Sequence, residues 1–106
     1  MVEKRVVSRE ILLSFWKIHV LHHASEAGVV GTWMLEELRH HGYDVSAGTL
    51  YPLLKRMEGF GWLTSVTEGS GPKARRTYSI TDDGREVLAI AKRQLRELGV
   101  EVVSGS

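Results

Sequence analysis

The chain has 106 residues, 42% of them hydrophobic, and a formal net charge of +1. That suits one small folded domain with its own core and argues against a disordered chain. The absence of cysteine excludes a disulfide framework and thiolate chemistry, and the apolar run from Ile11 is broken at Lys17, too soon for a membrane span.

The first nine residues carry charges and do not read as a secretory signal, so a cytoplasmic protein without a membrane partner is expected. Ser8 is placed to cap a first helix over 9–27, closed by Gly28. The apolar set of that helix, which includes Ile11, Phe15, Trp16, Ile18, Val20 and Leu21, is too wide for one stripe, so it calls for cover on a second side. Val29 and Val30 read as an extended link or a minimal strand. Thr32 then caps a second helix, Trp33–His41, with Trp33, Met34, Leu35 and Leu38 apolar and Gly42 ending it. A short connection leads into a third helix, which makes the pair a helix-turn-helix.

That third helix is the centre of the reading. Ser46 suits an N-cap, because its hydroxyl can accept from an early helical N–H, and Gly59 suits the left-handed residue that ends many helices. Leu50, Leu53, Leu54 and Met57 fall on one apolar stripe. The other face carries Gly48, Thr49, Pro52 and Lys55, flanked by Tyr51 and Arg56. A mid-helix proline costs roughly 3 kcal/mol. Here the carbonyl left without its partner is that of Gly48, on the outward face, so the helix is expected to continue with a slight kink. A small smooth face with two cations and a tyrosine fits a groove of DNA.

From Phe60 to Glu68 the chain is rich in β-branched and aromatic residues, Gly69–Pro72 breaks the run, and Arg76–Thr81 resumes the alternation. This predicts a β-hairpin, with Trp62 in its core. Thr81 caps a last helix over 82–103 with Asp82 and Asp83 in its first turn. Along it Leu88, Ala91, Leu95, Leu98 and Val102 alternate intervals of three and four, an a/d seam. The fold class is mainly α with a small β-hairpin wing: a single winged helix-turn-helix domain over 1–106, with an added helix at each end. The two terminal helices, through Phe15 and the seam, are expected to form a homodimer. Charge by segment is −1 over 1–45, +3 over 46–76 and −1 over 77–106, so the positive excess sits with the third helix and the wing. Lys55, Arg56, Lys73, Arg75 and Arg76 are therefore expected to meet double-stranded DNA, with a structural ion pair as the alternative for Arg56 and a core position as the alternative for Tyr51.

Other residues admit a second reading. Phe15, Trp16 and Trp33 are a candidate pocket for a small-molecule effector, although aromatics at helical spacing are more often plain core. His19, His22 and His23 have the spacing of a metal chelate, and His40 and His41 end the second helix. No carboxylate or cysteine pattern completes a site, so no metal or other cofactor is expected; a metal-responsive regulator using His19, His22 and His23 is the alternative. No catalytic constellation is present, and the chain is not expected to be an enzyme. A winged-helix module that binds protein would show apolar residues where Gly48, Pro52, Lys55 and Arg56 stand.

The segments Ser46-Ala-Gly-Thr-Leu-Tyr-Pro-Leu-Leu-Lys-Arg-Met-Glu58, Gly71-Pro-Lys-Ala-Arg-Arg-Thr-Tyr78 and Thr81-Asp-Asp-Gly-Arg-Glu-Val-Leu88 resemble the signature of PadR-like bacterial transcriptional regulators. The resemblance runs from about Thr32 to Leu88. It implies a cytoplasmic homodimer on palindromic operator DNA, usually a repressor, with 46–58 as recognition helix and 69–76 as wing. Gly31-Thr-Trp-Met-Leu35 departs from the His-Gly-Tyr-Glu-Leu-like stretch usual in the family, so no known effector carries over. The single C-terminal helix resembles the short subgroup.

Overall fold

In the computed structural model, which describes residues 1–105, the chain opens with one long helix, α1 (4–26). It comprises Lys4–Val7, a π-helical stretch at Ser8–Leu12, and Leu13–Glu26, and the backbone stays helical across both junctions. This corrects the expected start at Arg9: Ser8 lies inside the helix. No glycine or proline interrupts residues 4–12, and a lone serine is too weak a competitor to stop a helix favoured on both sides. Trp16, Val20, Leu21 and Ala24 are buried, while Ile11 and Phe15 stay exposed.

A short strand, β1 (Val29–Val30), precedes α2 (Gly31–His40). Pairing of Val30 with Thr77 holds it extended, and the helix begins at the next residue. The expected cap, Thr32, is thereby moved into the first turn. Met34, Leu35 and Leu38 enter the core; Trp33, expected with them, is 45% exposed. The turn after α2 is a Schellman motif, in which the Gly42 N–H donates to the Arg39 carbonyl (2.9 Å) and the Tyr43 N–H to the Leu38 carbonyl (3.2 Å).

α3 (Ala47–Gly59) runs unbroken through Pro52 and buries Leu50, Leu53, Leu54 and Met57 as the stripe requires. Its ending differs from expectation. Gly59 is the last helical residue, and the left-handed position is Gly61, at φ +83°. The Gly61 N–H donates to the Glu58 carbonyl (2.9 Å) and the Trp62 N–H to the Met57 carbonyl (3.1 Å), a second Schellman motif. The turn leaves Trp62 half-buried against the core and delays the next strand, β2 (Leu63–Glu68), by three residues from its expected start.

β2 and β3 (Arg75–Ile80) are joined by a short helical turn at Gly71–Lys73. They pair antiparallel from Leu63 opposite Ile80 to Glu68 opposite Arg75. β1 pairs with the free edge of β3, so the predicted hairpin is two strands of a three-stranded sheet in the order β1-β3-β2. The last helix, α4 (Asp82–Val102), is capped as expected: Thr81 Oγ1 accepts from the Gly84 N–H at 3.0 Å and donates to the Gly61 carbonyl. It continues through Gly99 without a break. The result is a winged helix-turn-helix domain whose core lies between α1, α2, α3, the sheet and the first turns of α4.

Candidate nucleic-acid interface

The apolar stripe of α3 locks that helix to the core and so decides which residues face out. Ser46, Gly48, Thr49, Tyr51, Pro52, Lys55 and Arg56 all lie at the surface. Ser46 ends the extended approach to α3, but its side chain does not accept from a helical N–H as expected. Its hydroxyl instead donates to Thr49 Oγ1 at 3.2 Å, tying two polar groups together at the tip of the helix. The orientation of α3 is pinned at both ends: Arg39 Nε donates to the Val45 carbonyl at 3.0 Å, before the helix, and Ser65 Oγ on β2 donates to Glu58 Oε2 at 2.7 Å, near its end.

The wing meets this face. Tyr51 and Leu54 of α3 line a groove of about 320 Å³ together with Lys73, Ala74, Arg75, Arg76 and Tyr78 of the wing and Val30, Gly31 and Thr32 of β1 and α2. The Tyr51 ring packs against Gly31, where an added Cβ would lie 3.0 Å from Tyr51 Cε1, and the ring stays 40% exposed. Tyr51 is thus neither plain core nor a free surface residue. Among the described residues, none of Lys55, Arg56, Lys73, Arg75 and Arg76 pairs with a carboxylate, so the ion pair considered for Arg56 does not form. Arg76 is oriented by donation from Nε to Thr67 Oγ1 at 3.2 Å. Unpaired cations on two adjacent elements leave a field that attracts a polyanion.

Two contributors escape sequence reasoning. The start of α2 at Gly31 and Thr32 forms one wall of the groove, because β1 pairs with β3. Arg5 and Arg9 lie beside Ser46 and Thr49 in a neighbouring cleft, because α1 begins at Lys4. The available signal was the unbroken helix-compatible run Lys4-Arg5-Val6-Val7 ahead of Ser8.

The remaining sequence expectations separate. Leu88 is only 5% exposed and belongs to the core of its own chain, which removes it from the expected dimer seam. Leu95, Leu98 and Val102 are exposed (41%, 53% and 66%), Ala91 is half-buried, and Phe15 faces out. The three aromatics of the candidate effector pocket are not brought together. Trp16 fills the core, and Trp33 lines a cleft with His23, Glu26 and Arg75. Phe15 borders an apolar cleft of about 350 Å³ with Ile18, Tyr43, Leu88, Lys92 and Leu95. The helical phase explains the split: neighbouring residues on one helix point about 100° apart. His19 donates to or accepts from Tyr43 Oη at 3.2 Å, and burial, then the charges of His41, His23 and His22, hold its pKa below the ordinary value against a smaller opposing effect of Glu37. His22 turns toward Glu26, 3.5 Å from its carboxylate.

Residues 20–90 match the transcriptional regulator PadR-like family. A transcriptional regulator of Mycobacterium tuberculosis, Rv3488, is 44% identical over 97 residues, covering 92% of this chain and 91% of that protein. Among solved structures, a PadR-like transcriptional regulator from Bacillus cereus (BC4206) is similar at a TM-score of 0.76 with 30% identity, over 92% of this chain and 93% of that one. A PadR-like transcription factor described as from bacteroid fragilis reaches a TM-score of 0.79 over 94% and 98% of the two chains, and at 22% identity it supports the fold alone.

Proposed function

This chain belongs to the PadR-like family of transcriptional regulators, and from that premise we propose that it represses transcription as a two-fold homodimer on a palindromic operator. The observation that carries this reading is the single groove in which Tyr51 of α3 meets Lys73, Arg75 and Arg76 of the wing, cations without internal partners for their charges. Gly48 and Pro52 keep the outer surface of α3 low, so its backbone can approach base pairs closely. Ser46, Thr49, Tyr51, Lys55 and Arg56 then reach base edges and nearby phosphates in the major groove. The wing cations neutralise flanking phosphates or enter the adjacent minor groove.

Dimerisation uses Leu95, Leu98 and Val102 of α4 with Ile11 and Phe15 of α1, apolar side chains that one copy leaves uncovered, together with the half-buried Ala91. A two-fold axis there would set two α3 helices for successive major grooves, about 34 Å apart. The cleft beside Phe15 adjoins those same helices, so a small apolar effector seated in it would act on the dimer, in the cytoplasm where the operator is. The test is enrichment of duplexes from a random pool at low salt. A shared sequence after several rounds supports the reading, and its weakening by Lys55→Ala assigns it to α3. Recovery of no common sequence would reject it.

A further inference from the structure

DNA binding makes no use of a group of imidazoles where α1 meets the end of α2. His19 and His23 lie one turn apart on α1 with their rings stacked, centroids 6.5 Å apart and planes within 13°. The Schellman turn that ends α2 carries His41 back against them, its centroid 4.9 Å from that of His19. One ring nitrogen from each of His19, His23 and His41 can be chosen so that all three lie within 4.8 Å of one another. Nitrogens about 2.0–2.1 Å from a tetrahedral ion are separated by roughly 3.3 Å. Closing the gap therefore takes about 1.5 Å of ring movement, within reach of small side-chain rotations because none of the three rings is fully buried.

The surroundings fit ligand imidazoles. A carboxylate that holds the second nitrogen of a ligating histidine orients the ring and raises its basicity. Glu37 stands 3.3 Å from His41 Nε2 and is placed to do this, while Glu26, 3.7 Å from His23 Nδ1, stands beyond hydrogen-bond distance of that ring. Tyr43 Oη steadies His19 from the other side. Sequence spacing suggests His19, His22 and His23, all on one helix, with His40 and His41 at the end of the next helix and no carboxylate or cysteine pattern to complete them. The fold replaces His22, which faces Glu26, with His41 from the turn that ends α2.

We propose that His19, His23 and His41 bind one divalent transition-metal ion of the zinc, cobalt or nickel class, with the fourth position left to water. An all-imidazole set favours these ions over magnesium or calcium, which require oxygen ligands, and lacks the sulfur that soft ions select. The site joins α1, which bears part of the exposed apolar surface, to the first helix of the helix-turn-helix. Binding therefore ties the angle between them, the angle that sets where α3 stands.

The experiment is calorimetry of tag-free protein with zinc and nickel near neutral pH, paired with visible absorption of the cobalt-loaded chain. The expected result is one ion per chain in the micromolar range, with a cobalt band of tetrahedral intensity. His41→Ala and His19→Gln should each weaken binding by at least about tenfold and remove the band, while His22→Ala and His40→Ala leave both in place. His41 is exposed, so its alanine variant keeps the fold, as circular dichroism would verify. Absence of stoichiometric heat with either ion overturns the proposal. So does binding that survives His41→Ala and is lost in His22→Ala, which would place the ion on His22 and Glu26.

Discussion

Lys73, Arg75 and Arg76 stand on the wing with no carboxylate paired to them, and that decides what their removal does. Replacing all three with alanine disturbs no internal ion pair, so the fold should keep its stability. Affinity for every duplex should fall alike, and the slope of log affinity against log salt should flatten by about 0.9 for each phosphate no longer neutralised. A fluorescence anisotropy titration over a salt series measures both. His19 gives a prediction about pH. Its pKa is lowered in the folded chain, chiefly by burial and then by the neighbouring imidazoles, so below about pH 6.5 the unfolded chain binds the proton more readily. Stability is then intact at higher pH and is lost as pH falls from the unfolded value through the folded one. Urea midpoints in chelator-treated buffer should drop on acidification through that window, and His19→Gln should reduce the drop. Residue roles of this kind are partly legible in the sequence: the cations declare themselves by charge. The role of Tyr51 does not, because its packing on Gly31 depends on how α2 crosses α3.

At the scale of elements, the two glycines near the end of α3 separate the expected cap from the observed one. Gly59 has a helical backbone and nothing within 4 Å of an added Cβ, whereas Gly61 holds φ +83°. Gly59→Ala should therefore be neutral or stabilising by about 0.5 kcal/mol, and Gly61→Ala should destabilise by about 1 kcal/mol. Thermal unfolding of the two variants would show the opposite order if Gly59 were the left-handed residue. The α3 stripe is readable because four large apolar residues at helical spacing have no other solution than burial. The cap is not, because two glycines stand two residues apart and only the returning chain, through the Met57 and Glu58 carbonyls, selects between them. The same holds for β1: the sequence leaves Val29 and Val30 as an extended link or a minimal strand, and the free edge of β3 selects the strand. The start of α1 is hidden for the converse reason, since Ser8 offers a local capping signal that a continuous helix overrides.

For the whole molecule, the apolar side chains left over by one copy are the guide. Leu95, Leu98 and Val102 on α4 and Phe15 and Ile11 on α1 remain exposed after the core is complete. The seam is legible as a pattern, but Leu88 shows its limit: a heptad position adjacent to the domain is used by the domain first. Light scattering at tens of micromolar should report a dimer for the wild type and a monomer for Leu95→Glu with Leu98→Glu, whose far-UV spectrum should be unchanged. A dimer lets the groove between α3 and the wing act twice, once on each half of an operator. The most direct measurement is therefore the affinity of the wild-type chain for every member of a large duplex library, at about 50 and about 200 mM salt. Family membership and the α3–wing groove together predict a motif with two-fold symmetry, half-sites about 10 bp apart centre to centre, and binding that weakens steeply at the higher salt. Equal affinity for all duplexes, or a motif without symmetry that ignores salt, would contradict it.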